Sequence, residues 1–402
     1  MKVIALKLTP LDVLFFRDAR PYDQADSANS GLPTPQSFYG LVKTHLARTF
    51  ELHFSKIHGL RKSNDPNRWI SEIRTRGAWL YVDAYVVVPV PADIMQLGKS
   101  GDAFTRLRPV SDDVTVPGWD DDARRPLWSN DDESPRAASG FLGQAALCKY
   151  LHGEELCAND IIPSLRLYDF EPRTGIGVNS ATMITADSQI YSASFLRLQP
   201  GVSFYGEIEV DDEHESKLRQ AFAEPITLPW GGEGRRACVE ICDPMNWPKP
   251  PIVNGDGRLL SLLITPGIFG SRDGRGQNGL GENPQASWMP RELGTLKAAA
   301  VPRPMAISGW NLSGRTDNDA ESPAAETNSN DERDHPGCPR PTRYAAPAGS
   351  VYFWQRGKNN RWDKNGKDLK PLESLCGKPL ESDAGWGLSL TGIWKCFKEK
   401  SG

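Results

Sequence analysis

The sequence predicts an α+β chain built of two βαββαβ units that carry long loop insertions. Three observations predict it. The 402 residues exceed what one hydrophobic core comfortably organises. Apolar strand patterns recur on both sides of a proline-rich stretch, Asn246-Trp247-Pro248-Lys249-Pro250-Pro251, which reads as a linker. The opening strand, ended by Leu8-Thr9-Pro10, returns as Arg258-Leu-Leu-Ser-Leu-Leu-Ile-Thr-Pro266. The units therefore divide at 1–245 and 246–402.

In the first unit, residues 3–8 are a strand. A helix starts near Pro35, because proline suits a first turn and Phe38, Leu41, Val42, His45 and Leu46 keep a 3.6-residue period. Residues 78–90 are rich in β-branched and aromatic side chains, end in prolines and read as one strand. Residues 171–195 form a long hairpin that leaves through a strand at 195–198. A strand at 203–210 and a helix at 213–222 follow. In the second unit, strands are expected at 306–310 and 349–355, a helix at 371–376, and a last strand at 388–394. This element order is that of ferredoxin-like, RRM-like modules.

Composition narrows the function. Gly 37 and Pro 32 favour turns over long helices. No stretch approaches the roughly 18 apolar residues of a membrane span, and the first residues have no signal-peptide pattern. Seven scattered cysteines without a C-x-x-C pair point to reduced thiols in a cytoplasmic protein. Cys238 and Cys242 lack a second ligand pair, so no metal is expected. The formal net charge of −4 hides a segregation of sign. Residues 111–133 carry eight carboxylates against two arginines, and 317–334 carry seven against one. Without these two stretches the chain stands at about +8. They lie in insertions at about 98–139 and 311–340, whose composition predicts solvated, mobile loops.

Four constellations can carry chemistry. In the charged turn Arg17-Asp18-Ala19-Arg20-Pro21, the arginine forks suit phosphate oxygens, although Asp12–Arg20 or Arg17–Asp18 pairing would serve equally to shape the loop. Pro33-Thr34-Pro35-Gln36-Ser37 opens a helix whose free N–H groups favour anions. Arg173-Thr174-Gly175-Ile176-Gly177 gives the hairpin backbone room for a close approach. Trp230-Gly231-Gly232-Glu233-Gly234-Arg235-Arg236 offers a flexible loop, two phosphate contacts and an adjacent indole for stacking. It is the most specific local signal, with Gly385-Trp386-Gly387 as a near counterpart. Gly274, Gly276 and Gly279 match a dinucleotide fingerprint, but Gly281 and Pro284 stop the helix it requires. No phosphate-binding P-loop and no nucleophile elbow occur, so no cofactor is expected.

Three strings together resemble one family. They are residues 8–21 (Leu-Thr-Pro-Leu-Asp-Val-Leu-Phe-Phe-Arg-Asp-Ala-Arg-Pro), the Thr-Gly-Ile-Gly hairpin with its Phe-Leu-Arg-Leu exit (174–198), and Gly-Gly-Glu-Gly-Arg-Arg (231–236). Ile307-Ser308-Gly309-Trp310 and residues 343–353 extend the match into the second unit. The chain resembles the third subunit of the Cmr complex, the type III-B CRISPR effector, within the RAMP superfamily. The resemblance implies two ferredoxin-like folds and a non-catalytic, RNA-binding role in antiviral defense. It implies a grip on the 5′ repeat-derived handle of the CRISPR RNA, and docking between the large polymerase/cyclase-like subunit and a backbone RAMP subunit. The superfamily's RNA-contacting loops follow the last strand of each unit; they map here to 231–236 and 385–387. The RNA-binding candidates are Arg17, Arg20, Ser37, Arg173, Gly231, Gly232, Gly234, Arg235, Arg236 and Trp386. Some enzymes of this superfamily cut precursor RNA with histidine, tyrosine and lysine near the first helix. Tyr39, Lys43 or Lys56, and His45 imitate that set, but His45 falls on the apolar face.

Overall fold

The computed structural model describes residues 1–17, 27–52, 60–61, 64–98, 103–121, 124–129, 131, 135–178, 185–251, 257–269, 293–311, 338–339, 342–356, 372–376 and 379–397. Arg20, Lys56, the 274–279 glycine pattern and nearly all of 312–341 lie outside them. The fold is mixed α+β and rich in sheet.

The chain opens with β1 (Lys2–Pro10), β2 (Ser27–Asn29) and α1 (Pro35–Thr49). β3 (Arg74–Val82) and β4 (Tyr85–Pro89) follow. The single strand expected at 78–90 is thus a hairpin. Asp83 and Ala84 take positive φ, 48° and 65°, and their two-residue turn folds the β-prone run back on itself. Next come β5 (Phe141–Leu142), α2 (Gln144–Leu151), β6 (Ile161–Ile162), β7 (Tyr168–Val178), β8 (Thr185–Leu198) and β9 (Ser203–Val210). The first half ends with α3 (Glu215–Ala221), β10 (Ile226–Pro229) and β11 (Arg236–Cys242).

These strands make an antiparallel sheet ordered β6-β5-β4-β3-β9-β1-β11-β10, while β7 and β8 form the long hairpin, flanked by β2. A second sheet holds β12 (Arg258–Leu263), β13 (Thr295–Ala300), β14 (Val351–Gln355), β15 (Glu373–Ser374) and β16 (Leu388–Ile393), ordered β13-β14-β12-β16-β15. In the first sheet the opening strand β1 lies between β9 and the closing strand β11, and in the second β12 lies between β14 and the closing strand β16. The helix expected at 371–376 is absent: Glu373 and Ser374 pair with Ser389 and Leu388, and edge pairing prevails over local pattern. A short helix stands instead at Pro379–Asp383.

Period-two alternation divides the packing. Ile4, Leu6 and Leu8 meet Phe38, Leu41, Val42 and Leu46 of α1. Gly206 on β9 makes room for α1, since a Cβ there would sit 2.4 Å from the Phe38 ring. On the opposite face, Ala5, Trp79, Val86 and Val88 share one core with Leu260, Leu262, Val351 and Phe353 of the second sheet. The two sheets therefore stack, and the Trp79 indole donates to the Ile264 carbonyl across them at 2.8 Å.

The first acidic insertion, expected to be a mobile loop, is held down where it is described. Ile94–Leu97 pairs with Ala103–Arg106 and with Arg136–Ala137, and Arg108–Pro109 pairs with Leu127–Trp128. Arg106 is buried against Asp93 at 2.9 Å. Arg125 donates its backbone N–H to Lys297 on β13, and the Lys297 ammonium meets Asp112 at 3.1 Å. Local composition missed this because the partners come from elsewhere in the chain. The second insertion is closed at its ends by pairing of Trp310–Asn311 with Cys338–Pro339.

Candidate nucleic-acid interface

The loop after β1, the first turn of α1 and the glycine loop before β11 line one groove of about 1060 Å³. Its far wall comes from the second half of the chain, residues 303–308 with Tyr344, Pro347 and Ala348. The charged side chains among the described lining residues are Arg17, Arg303 and Glu233, a balance of +1. Tyr344 is 46% exposed and offers a ring face there. Arg303 carried no signal in sequence and Tyr344 stood out only within residues 343–353; the stacking of the two sheets brings both to the groove that Arg17 lines.

The glycine loop owes its shape to its neighbours. Gly231, at φ +87°, would drive a Cβ to 2.7 Å from the Phe15 carbonyl oxygen. Gly232 donates its N–H to that same oxygen at 2.8 Å. The close approach that these two glycines allow is therefore internal, to the loop after β1. Gly234, at φ +65°, faces open space and leaves room for an outside backbone. The loop closes where Trp230 N–H donates to the Arg235 carbonyl at 2.8 Å.

Trp230 is not available for stacking. It is 2% exposed and packs edge-on against Phe16 and Phe204, each centroid 5.1 Å away. Trp386 is also 2% exposed, within the second sheet's outer core, so its expected contact with RNA gives way to packing. Gly385 and Gly387 follow suit: a Cβ on Gly385 would meet the Thr75 carbonyl oxygen at 2.6 Å, and Gly387 N–H donates to Pro266. Both glycine loops immediately precede the closing strands β11 and β16, rather than following them. Ser37 commits its hydroxyl to the Thr34 carbonyl at 2.7 Å and its N–H to the same oxygen, so it is no free donor at the start of α1.

The arginines are brought together from three segments. Arg173 on β7 and Arg235 in the glycine loop stack over Phe195, with guanidinium carbons 5.1 and 4.7 Å from the ring centre. Both meet Asp12, at 3.4 and 3.5 Å, and Arg197 meets Asp12 at 3.1 Å. Glu171 bridges Arg173 at 2.7 Å and also pairs with Arg197. Bonds from Arg197 and Arg173 pull the Glu171 carboxyl below its ordinary pKa. For Asp12, partial burial opposes the shift, but the Val13 N–H and Arg197 outweigh it and hold the carboxyl low. Asp12 thus pairs with 173, 197 and 235. Arg197 was visible in sequence only as the charged residue of Leu196-Arg197-Leu198. Arg236, at the start of β11, is exposed.

Of the rival nuclease set, Tyr39, Lys43 and His45 lie among the described residues. His45 is buried, with Nε2 2.6 Å from the Ala221 carbonyl and its ring against Phe222. Lys43 lies two residues earlier, about 160° away around the helix, over the Tyr39 ring and 3.4 Å from the Ser71 carbonyl. Burial pushes its ammonium down to about 8, with Asp383 opposing and Arg61 reinforcing. Among the described residues no group of histidine, cysteine and carboxylate side chains could hold a metal ion. Among them too, no helix is long and apolar enough to cross a membrane.

Comparison with solved structures finds a chain of the type III-B Cmr-beta complex, described as bound to cognate target RNA and AMPPnP. It is 15% identical, covers 88% of this chain and 86% of that one, and has a TM-score of 0.47. A chain of a Csm3–Csm4 subcomplex of the type III-A interference complex is 12% identical, with 90% and 97% covered and a TM-score of 0.38. No curated protein sequence matches significantly. The model of one family, CRISPR-associated protein (Cas_Cmr3), matches residues 6–394. A match over nearly the whole length shows that this chain belongs to the Cas_Cmr3 family of CRISPR-associated proteins.

Proposed function

We propose that this chain is a non-catalytic subunit that grips the 5′ repeat-derived handle of a CRISPR RNA and docks to the large polymerase/cyclase-like subunit and a backbone RAMP subunit of a cytoplasmic Cmr effector. The observation that carries the grip is convergence. Arg17, the start of α1 and the glycine loop line one groove, with Arg173, Arg197 and Arg235 gathered beside it. A single-stranded handle can splay its bases into such a groove while arginines hold its phosphates. The shared placement of the opening strand, beside the closing strand in each sheet, supports two ferredoxin-like modules at 1–245 and 246–402. The burial of His45 against the Ala221 carbonyl and Phe222, about 160° around the helix from Lys43, supports a role without catalysis.

Arg235→Ala with Arg236→Ala is expected to weaken binding of repeat-derived RNA by roughly tenfold to a hundredfold. The salt dependence should become shallower by about 0.7 per lost contact, because fewer counterions are released from a single strand. Fluorescence anisotropy over a salt series measures both. Unchanged affinity would overturn the proposed grip, and metal-independent cleavage of the same RNA, lost in His45→Ala, would overturn the non-catalytic reading.

A further inference from the structure

The grip's own arginines are already occupied by internal carboxylates. Arg173, Arg197 and Arg235 come from both strands of the long hairpin and from the glycine loop, and they surround Asp12 and Glu171. Three cations against two anions leave the cluster at +1. It stands on a built platform: Phe195 is 6% exposed, its ring lies 5.0 Å from Phe15, and Arg173 and Arg235 cover it. The arginines are therefore ordered before any ligand arrives, which lowers the entropy cost of using them. The carboxylates remain half exposed, Asp12 at 47% and Glu171 at 34%, so an incoming phosphate can reach and replace them.

We infer that Asp12 and Glu171 are selectivity residues, internal stand-ins for phosphate that an RNA backbone must displace. This rests on the RNA-gripping reading above. A strand held only by its charge gains little by exchanging one anion for another. A strand whose bases also dock in the groove presents its phosphate at high effective concentration and completes the exchange. The occupant is thus a single-stranded RNA with bases to read, and the carboxylates discriminate against generic polyanions. Structured charge of this kind separates specificity from raw affinity.

The test compares Asp12→Asn and Glu171→Gln with the unaltered chain. Anisotropy is read with a ten-nucleotide oligouridine and with repeat-derived RNA. Asn keeps an amide oxygen for the Val13 N–H, and melting curves confirm that each variant is folded. Oligouridine affinity should rise about tenfold and its salt slope steepen by about 0.7, since one more uncompensated cation faces the strand. Repeat RNA should gain less, so discrimination narrows. If both folded variants leave oligouridine binding unchanged or weaker while Arg235→Ala/Arg236→Ala still weakens repeat RNA, the inference falls and the grip stands. If the arginine variant leaves repeat RNA unaffected, both fall.

Discussion

Asp93→Ala is expected to destabilise the protein by about 3–5 kcal/mol, because it leaves a buried arginine charge without its partner. Asp93 is fully buried and Arg106 is 6% exposed. The Arg106 guanidinium donates to Asp93 at 2.9 Å and to the Tyr150 carbonyl at 3.2 Å, and Tyr150 donates its hydroxyl to Asp93 at 2.8 Å. The Asp93 backbone carbonyl also takes the Leu107 N–H at 2.7 Å. This knot anchors the first acidic insertion to α2, so hydrogen exchange should accelerate over 94–110. Asp93→Ala with Arg106→Leu should recover most of the loss, since an apolar replacement strands no charge. Unchanged melting and exchange in the single variant would refute the assignment.

Trp230→Ala is expected to cost a similar amount, about 3–5 kcal/mol, and to abolish the RNA grip without removing a contact to RNA. The indole fills the space between Phe16 and Phe204, and its backbone closes the glycine loop onto Arg235. Truncation opens a cavity under the loop that positions Gly231 to Arg236. Trp230→Phe should retain most stability and RNA affinity, because the buried indole N–H has no hydrogen-bond partner among the described residues. An alanine variant that melts normally yet loses RNA would instead assign Trp230 to direct stacking.

The two predictions mark different degrees of legibility. Gly231, Arg235 and Arg173 stood out in the sequence because glycine and arginine report local needs: a permissive backbone and a bidentate cation. The periodicity of α1 likewise placed His45 on the inward face, where the structure finds it. Trp230 and Trp386 misled for the same reason that they attract attention: a tryptophan beside glycines suits stacking and packing equally, and only burial separates the two. The order in residues 103–121 and 135–137 was hidden because its anchors, Asp93, Tyr150 and Lys297, lie outside the acidic window. The turn at Asp83 and Ala84 was hidden because neither residue is a glycine.

What the sequence by itself determined is the set of parts: strand and helix patterns on either side of a proline-rich stretch, a segregated charge, and a loop that joins glycines to arginines. These are properties of period, composition and short motif, readable without neighbours. What only the tertiary structure decided is which parts meet. Stacking of the two sheets sets Arg303 and Tyr344 across a groove from Arg17. Packing of the hairpin on the loop after β1 turns Asp12 toward Arg173, Arg197 and Arg235. Such pairings join residues as many as 223 positions apart, and their energy exists only once the chain has closed on itself.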